Sequence, residues 1–187
     1  VTTDTIYEYI NRATSFPVYS IGNGYLAGTN GYWAEMCMVM SRTLAANETM
    51  ELNSVFFMVY LKEIMGGRAE SFSINVFDVS ANFPTGTAKS TQSLSMDIVD
   101  TNSATLGINS VVFATPVSVN QDFAVSIDLT GVDDTIAMPT SDPAAGDGNN
   151  ESRFYGKYNG AYASIGSFIT GGFDADLLMG AIVTITS

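Results

Sequence analysis

The sequence predicts an all-β protein, an antiparallel β-sandwich of jelly-roll type with about eight to ten short strands. Three observations carry that prediction. Phe123, Val125, Ile127 and Leu129 alternate with Ala124, Ser126 and Asp128, which sets an apolar face inward and a mostly polar face outward, as a half-buried strand requires. Comparable period-two segments recur between Ser54 and Leu129 with turn residues between them. No segment keeps a helical apolar spacing over the length of a helix. The 187 residues suit one such sandwich, with residues 1–187 as a single domain.

In chain order, Thr5–Ile10 reads as the first strand, followed by a Tyr19–Tyr32 loop rich in Gly, Asn and Tyr. Trp33–Ser41 is the next strand, with Met36, Met38 and Met40 on one face and Cys37 and Val39 on the other. A methionine row at this spacing is core filling, and two apolar faces predict a covering element over the strand. Ser54–Lys62 is apolar on both faces from Val55 to Leu61, which predicts a central strand. Glu70–Val79 alternates through Phe72, Ile74 and Val76, then changes phase at Phe77, the mark of a bulge. Pro84-Thr85-Gly86 is read as the turn that ends this unit.

Leu94, Met96 and Ile98 alternate against Ser95 and Asp97 as a further strand. Asn109–Phe113 and Val117–Val119 form either a strand pair or one strand broken at Pro116. After Phe123–Leu129, Thr130-Gly131 turns the chain into Asp134–Met138. Ser141–Asn150, rich in Gly, Asp and Asn with Pro143, is an exposed loop, and Glu151–Tyr158, Tyr162–Phe168 and Leu177–Thr186 close the sandwich. The terminal strands Thr5–Ile10 and Ala181–Thr186 carry little charge. They are therefore candidates for edge pairing between chains, against the alternative of pairing within the same sandwich.

Composition removes several function classes. Hydrophobic residues make up 46% of the chain, enough for a core without disulfides or metals. Nineteen acidic residues against seven basic ones give a net charge of −12, which repels phosphate backbones and anionic lipid heads and argues against nucleic-acid partners. The absence of histidine excludes Ser-His-Asp and Cys-His catalysis, His-ligated zinc and histidine pH switching. Cys37, the single cysteine, allows no internal disulfide, and its Met-rich setting favours a buried, inert thiol over a reactive one. The longest apolar run, Val55 to Leu61, is too short to span a bilayer. No basic stretch precedes an apolar one at the start, so a signal peptide of an exported chain would already be gone. Sparse Lys, abundant Thr, Ser, Asn and Gly, and one unpaired Cys resemble a bacterial exported protein, secreted or at the cell surface.

Three groups are candidate sites. Tyr25, Asn30, Tyr32 and Trp33 share one Gly-rich loop; aromatic faces stack on sugar rings and amides bond hydroxyls, so a polysaccharide cleft is one reading. In the other, these aromatics plug the end of the sandwich and the glycines serve turns. Phe154, Tyr155, Tyr158 and Tyr162 extend either reading. Asp142, Asp147, Asn149 and Glu151 could bind calcium, which takes about six to eight oxygens, although acidic turns are commonly only solvated. A glycosidase-type acid pair is the third candidate, but no two carboxylates stand out from the others.

The stretch Gly22-Asn23-Gly24-Tyr25-Leu26-Ala27-Gly28-Thr29-Asn30-Gly31-Tyr32 resembles a GYxxGTNxY signature of β-sandwich domains in proteins exported by the type IX secretion system of Bacteroidetes. The Val55–Leu61 strand, Phe77-Asp78, the Pro84–Gly86 turn and the run from Val111 to Ile127 are similar too, so the resemblance spans most of residues 20–140. It implies a non-catalytic surface module beside enzymes or adhesion repeats, with no catalytic residue to carry over. Asp4-Thr5-Ile6 and Asp134-Thr135-Ile136 look like the O-glycosylation signal of such bacteria, which would place sugars on Thr5 and Thr135. The functional expectation is a secreted structural or adhesive module that contacts copies of itself or other surface proteins through strand edges. The alternative is a carbohydrate-binding module braced by calcium.

Overall fold

A computed structural model of the chain describes residues 1–7, 26–28, 34–101, 107–139, 153–164 and 177–187. Thirteen strands run through them in order: β1 (Thr2–Tyr7), β2 (Leu26–Gly28), β3 (Glu35–Ser41), β4 (Thr49–Met58), β5 (Leu61–Glu63), β6 (Ser71–Ser80), β7 (Phe83–Ser95), β8 (Ile108–Val119), β9 (Asp122–Asp128), β10 (Thr135–Pro139), β11 (Phe154–Tyr158), β12 (Ala161–Ser164) and β13 (Met179–Thr186). Among the described residues the helical structure is two short 3-10 turns, Met65–Gly67 and Met96–Ile98.

The strands form a front sheet ordered β1-β13-β4-β8, a back sheet ordered β12-β11-β3-β9-β6-β7, and a small sheet β2-β10-β5. All the pairings are antiparallel. Eight of the strands nest as four pairs, β1 with β13, β3 with β9, β4 with β8, and β6 with β7. Such nesting is one long hairpin rolled so that alternate pairs fall in opposite sheets, which is the jelly roll. The β11–β12 hairpin is an addition that extends the back sheet beyond β3.

Alternation puts the core between the two sheets. Met36, Met38 and Met40 of β3 are fully buried there with Phe123, Val125 and Ile127 of β9, Phe72 and Ile74 of β6, and Val55 and Phe57 of β4. The methionine row is core filling, as expected. β4 is central, between β13 and β8, but begins at Thr49 and ends at Met58, and Leu61–Glu63 leaves it to pair with β10. The phase change expected at Phe77 is not a bulge of β6: β6 keeps continuous register with β9 through Phe77 and Asp78, and Phe77 faces the outer cluster by ordinary alternation. The extra residues lie in the partner strand, where 86–89 of β7 bulge opposite Phe77 because Asp78 pairs with Thr85 and Val76 with Ser90. β8 is one strand, and residues 113–116, with Pro116 among them, bulge opposite Asn53.

Several expectations need correction. Pro84-Thr85-Gly86 is not the turn. Ala81 and Asn82 form it, both in left-handed backbone (φ 51° and 67°) between the paired Ser80 and Phe83, the geometry of a two-residue hairpin turn matched to strand twist. Pro84 is tolerated inside β7 because β7 is an outer strand, with no ladder beyond it among the described residues. Met96 and Ile98 lie in a 3-10 turn rather than a strand; Lys62 Nζ fastens this turn by donating to the carbonyls of Met96, Asp97 and Val99 at 2.9, 3.0 and 2.7 Å. The face of β9 carrying Ala124 and Ser126 does not meet water, since both are fully buried. Finally, β13 is no edge: it lies between β1 and β4. The β1 strand begins at Thr2, and parts of the expected Thr5–Ile10, Glu151–Tyr158 and Tyr162–Phe168 strands fall outside the described residues.

Candidate functional site

The buried outer face of the back sheet is where the polar chemistry of the described residues concentrates. In β3, Glu35, Cys37 and Val39 alternate away from the methionine core, so a carboxylate, a thiol and an isopropyl group share the outward side. A second apolar cluster closes over it: Cys37, Val39, Phe77, Ala124 and Tyr155, flanked by Val79, Ala88 and Tyr162. Ala88 comes from the β7 bulge, so the extra residues there help cover the sheet. Phe83 stacks edge-on against Tyr155 with centroids 5.2 Å apart, and Phe77 against Tyr162 at 6.3 Å. This is the cover that the two-faced β3 sequence predicts.

Under its margin lies a hydrogen-bonded polar row that crosses every strand of the sheet. Glu35 is 1% exposed. Its Oε1 accepts from Ser126 Oγ at 2.6 Å and from the Tyr162 hydroxyl at 2.6 Å, and its Oε2 accepts from Lys157 Nζ at 2.8 Å. The row continues as Asn75 Nδ2 donates to Ser126 Oγ at 3.4 Å and Thr91 Oγ1 donates to Asn75 Oδ1 at 2.8 Å. Strand register assembles it, because Tyr162 opposes Lys157, Lys157 opposes Glu35, Ser126 opposes Asn75, and Asn75 opposes Thr91. Lys157 also places its Nζ 5.2 Å from the Tyr162 ring centroid, within cation–π range. Asp128 is directly opposite Glu35 in strand register.

Burial drives the titration behaviour here. The Tyr162 phenol is pushed well above its ordinary value, first by burial and then by its hydrogen bond to Glu35. The Cys37 thiol is raised by its complete burial and secondarily by Glu35. It is buried as expected, and the raised thiol is the opposite of an activated nucleophile.

Other buried charge is tied to backbone. Asp134, 1% exposed, accepts from the amides of Met65 at 2.8 Å and Glu70 at 2.7 Å, clamping both ends of one loop. An open depression of about 480 Å³ lies beside that loop, lined by Met65, Arg68, Glu70, Ser71 and Asp133 among others.

The residues singled out from sequence are distributed unevenly. Tyr25, Asn30, Tyr32 and Trp33 lie outside the described residues, as do Asp142, Asp147, Asn149 and Glu151. Thr5 is half-buried on the outer strand β1, and Thr135 is half-buried on β10, which is flanked by β2 and β5. Of the second aromatic group, Phe154 is in the main core, while Tyr155 and Tyr162 belong to the back-face cluster. Glu35, Ser126, Asn75 and Lys157 escaped the sequence reading. The available signal was phase, since Glu35, Asn75 and Ser126 stand in strands at positions in register with apolar outward neighbours. No family model, curated protein or solved structure matches the chain.

Proposed function

We propose that this chain is a non-catalytic structural or adhesive module of the bacterial cell exterior, joined to copies of itself or to other surface proteins through a strand edge. The observation that carries this reading is β8. It is one of the two outer strands of the front sheet, twelve residues long without one Asp, Glu, Lys or Arg. Its first half, Ile108 to Val112, pairs regularly with β4, and Val112 is 72% and Ile108 47% exposed. The other outer strands of the two large sheets are guarded or short: β1 carries Asp4, bound to Arg42 at 2.7 Å; β7 carries Pro84 and Lys89; β12 has four residues. The second half of β8 is interrupted by the bulge at residues 113–116 with Pro116. The uncharged stretch from Ile108 to Val112, however, has no ladder beyond it among the described residues, an edge that another strand can pair with. In a chain of net charge −12, it is also a stretch where two copies meet with little like-charge repulsion.

The resemblance to type IX exported domains supports the same placement, secreted or at the surface. Under it, Thr5 on the outer strand is better placed to carry a sugar than Thr135 between two strands, and loop 141–151 is the calcium candidate. Light scattering across a concentration series tests the reading, with and without a chelator. Oligomers that grow with concentration and vanish in Val112→Lys are expected. A monomer at every concentration refutes edge assembly. Mutating Ile182–Ile185 is no test, because β13 is internal and the sandwich itself would suffer.

A further inference from the structure

We propose that Lys157 and Glu35 are a site of intramolecular amide cross-linking, a covalent tie between β11 and β3. The two residues are direct cross-strand partners, and Lys157 Nζ rests 2.8 Å from Glu35 Oε2. The opposite oxygen, Oε1, is held by two hydroxyls, Ser126 Oγ and Tyr162 OH, each at 2.6 Å. Amine and hydroxyl donors thus sit on different oxygens. Oε1 is placed to carry the developing negative charge of a tetrahedral intermediate, as oxyanion donors do, while Oε2 is the oxygen beside the proton source.

The step balances without a further reactant. Nζ gives one proton to Oε2, and the resulting neutral amine attacks Cδ as the C–N bond forms. A second Nζ proton follows to Oε2, the C–O bond breaks, and Oε2 leaves as water. An ammonium and a carboxylate become one neutral amide. Register and burial hold the reactants together, which replaces an intermolecular encounter with a high effective concentration.

The product also suits the site. Glu35 is 1% exposed, and a carboxylate buried in an ion pair retains a desolvation penalty. The amide removes both charges, yet its carbonyl Oε1 keeps the Ser126 and Tyr162 hydrogen bonds. The tie would fasten the added β11–β12 hairpin to the jelly roll in a chain whose single cysteine permits no internal disulfide.

Intact-mass spectrometry of the full chain is the test, after incubation at neutral to mildly alkaline pH, with Lys157→Arg as the variant that keeps the positive charge. The wild type is expected to be lighter than its sequence mass by one water and to yield a branched peptide joining the segments around Glu35 and Lys157. Lys157→Arg is expected at full mass. Full mass in the wild type throughout the incubation overturns the proposal and leaves an ordinary ion pair. The same water loss in Lys157→Arg overturns it equally, since the loss then arises elsewhere.

Discussion

The two sheets treat their outer sides in opposite ways. The back sheet buries its outer face under Phe77, Phe83, Tyr155 and Tyr162 and satisfies the trapped polar groups with a row of hydrogen bonds ending on Glu35. The front sheet ends in β8, which turns Ile108 and Val112 to solvent and has no ladder beyond it among the described residues. Both sheets come from the same alternating strand grammar. One has spent its polar groups internally, where deleting any of them harms the fold. The other ends in a strand with no ladder beyond it among the described residues, where, under the proposed edge assembly, a substitution is expected to act on association more than on stability.

The sharpest way to break that contrast is to remove one partner from the back-face row. Measured against wild-type protein of full sequence mass, in which Glu35 and Lys157 are still the free ion pair, Lys157→Met leaves a buried carboxylate without its counter-charge, and breaking such a pair is strongly destabilising. A loss of about 3 kcal/mol is expected in urea denaturation, at the lower end because the Lys157 side chain is 36% exposed. The double variant Glu35→Leu with Lys157→Met should recover part of that loss, since no orphaned charge remains.

Tyr162→Phe removes one donor to Glu35 and should cost about 1–2 kcal/mol at neutral pH. It should also flatten the alkaline response. Both Tyr162 and Cys37 are raised above their ordinary values of 10.0 and 9.0, so the folded state holds protons that the unfolded chain releases. Their stabilising contribution is therefore complete below about pH 9 and falls as pH rises beyond it, with slope set by the proton difference. Urea midpoints from about pH 8 to about pH 11 should decline for the wild type and less steeply for Tyr162→Phe.

A smaller effect is expected where the cover meets water. Phe83 is 41% exposed yet stacks on the buried Tyr155. An edge-to-face pair is worth about 1 kcal/mol. Phe83→Ala should therefore open the cover about five times more often, and thiol-reagent labelling of Cys37 should quicken by the same factor. Smallest of all on stability is Val112→Lys, within about 0.5 kcal/mol of wild type, although it should abolish concentration-dependent association.

The contrast also explains what could be read from the sequence. Phe123, Val125, Ile127 and the methionines of β3 declare their inward face by local alternation, whereas Phe77, read as a change of phase, is an outward residue of a regular strand under the apolar cover. Local signals also misled: Pro84 and Gly86 are conspicuous turn residues, yet Ala81 and Asn82 make the turn. The Glu35 site is long-range. Ser126, Lys157 and Tyr162 stand 91, 122 and 127 residues from Glu35, and only the nesting of β3 with β9 and the docking of β11 bring them together. Likewise, β13 resembles a sticky terminal strand until the roll places it between β1 and β4.

Hydrogen exchange of the β8 amides as a function of protein concentration tests the edge account most directly. Protection of Ile108 to Val112 should rise with concentration in the wild type and stay flat in Val112→Lys, while β9 amides remain protected in both. Equal exchange of Ile108 to Val112 at low and high concentration would contradict it.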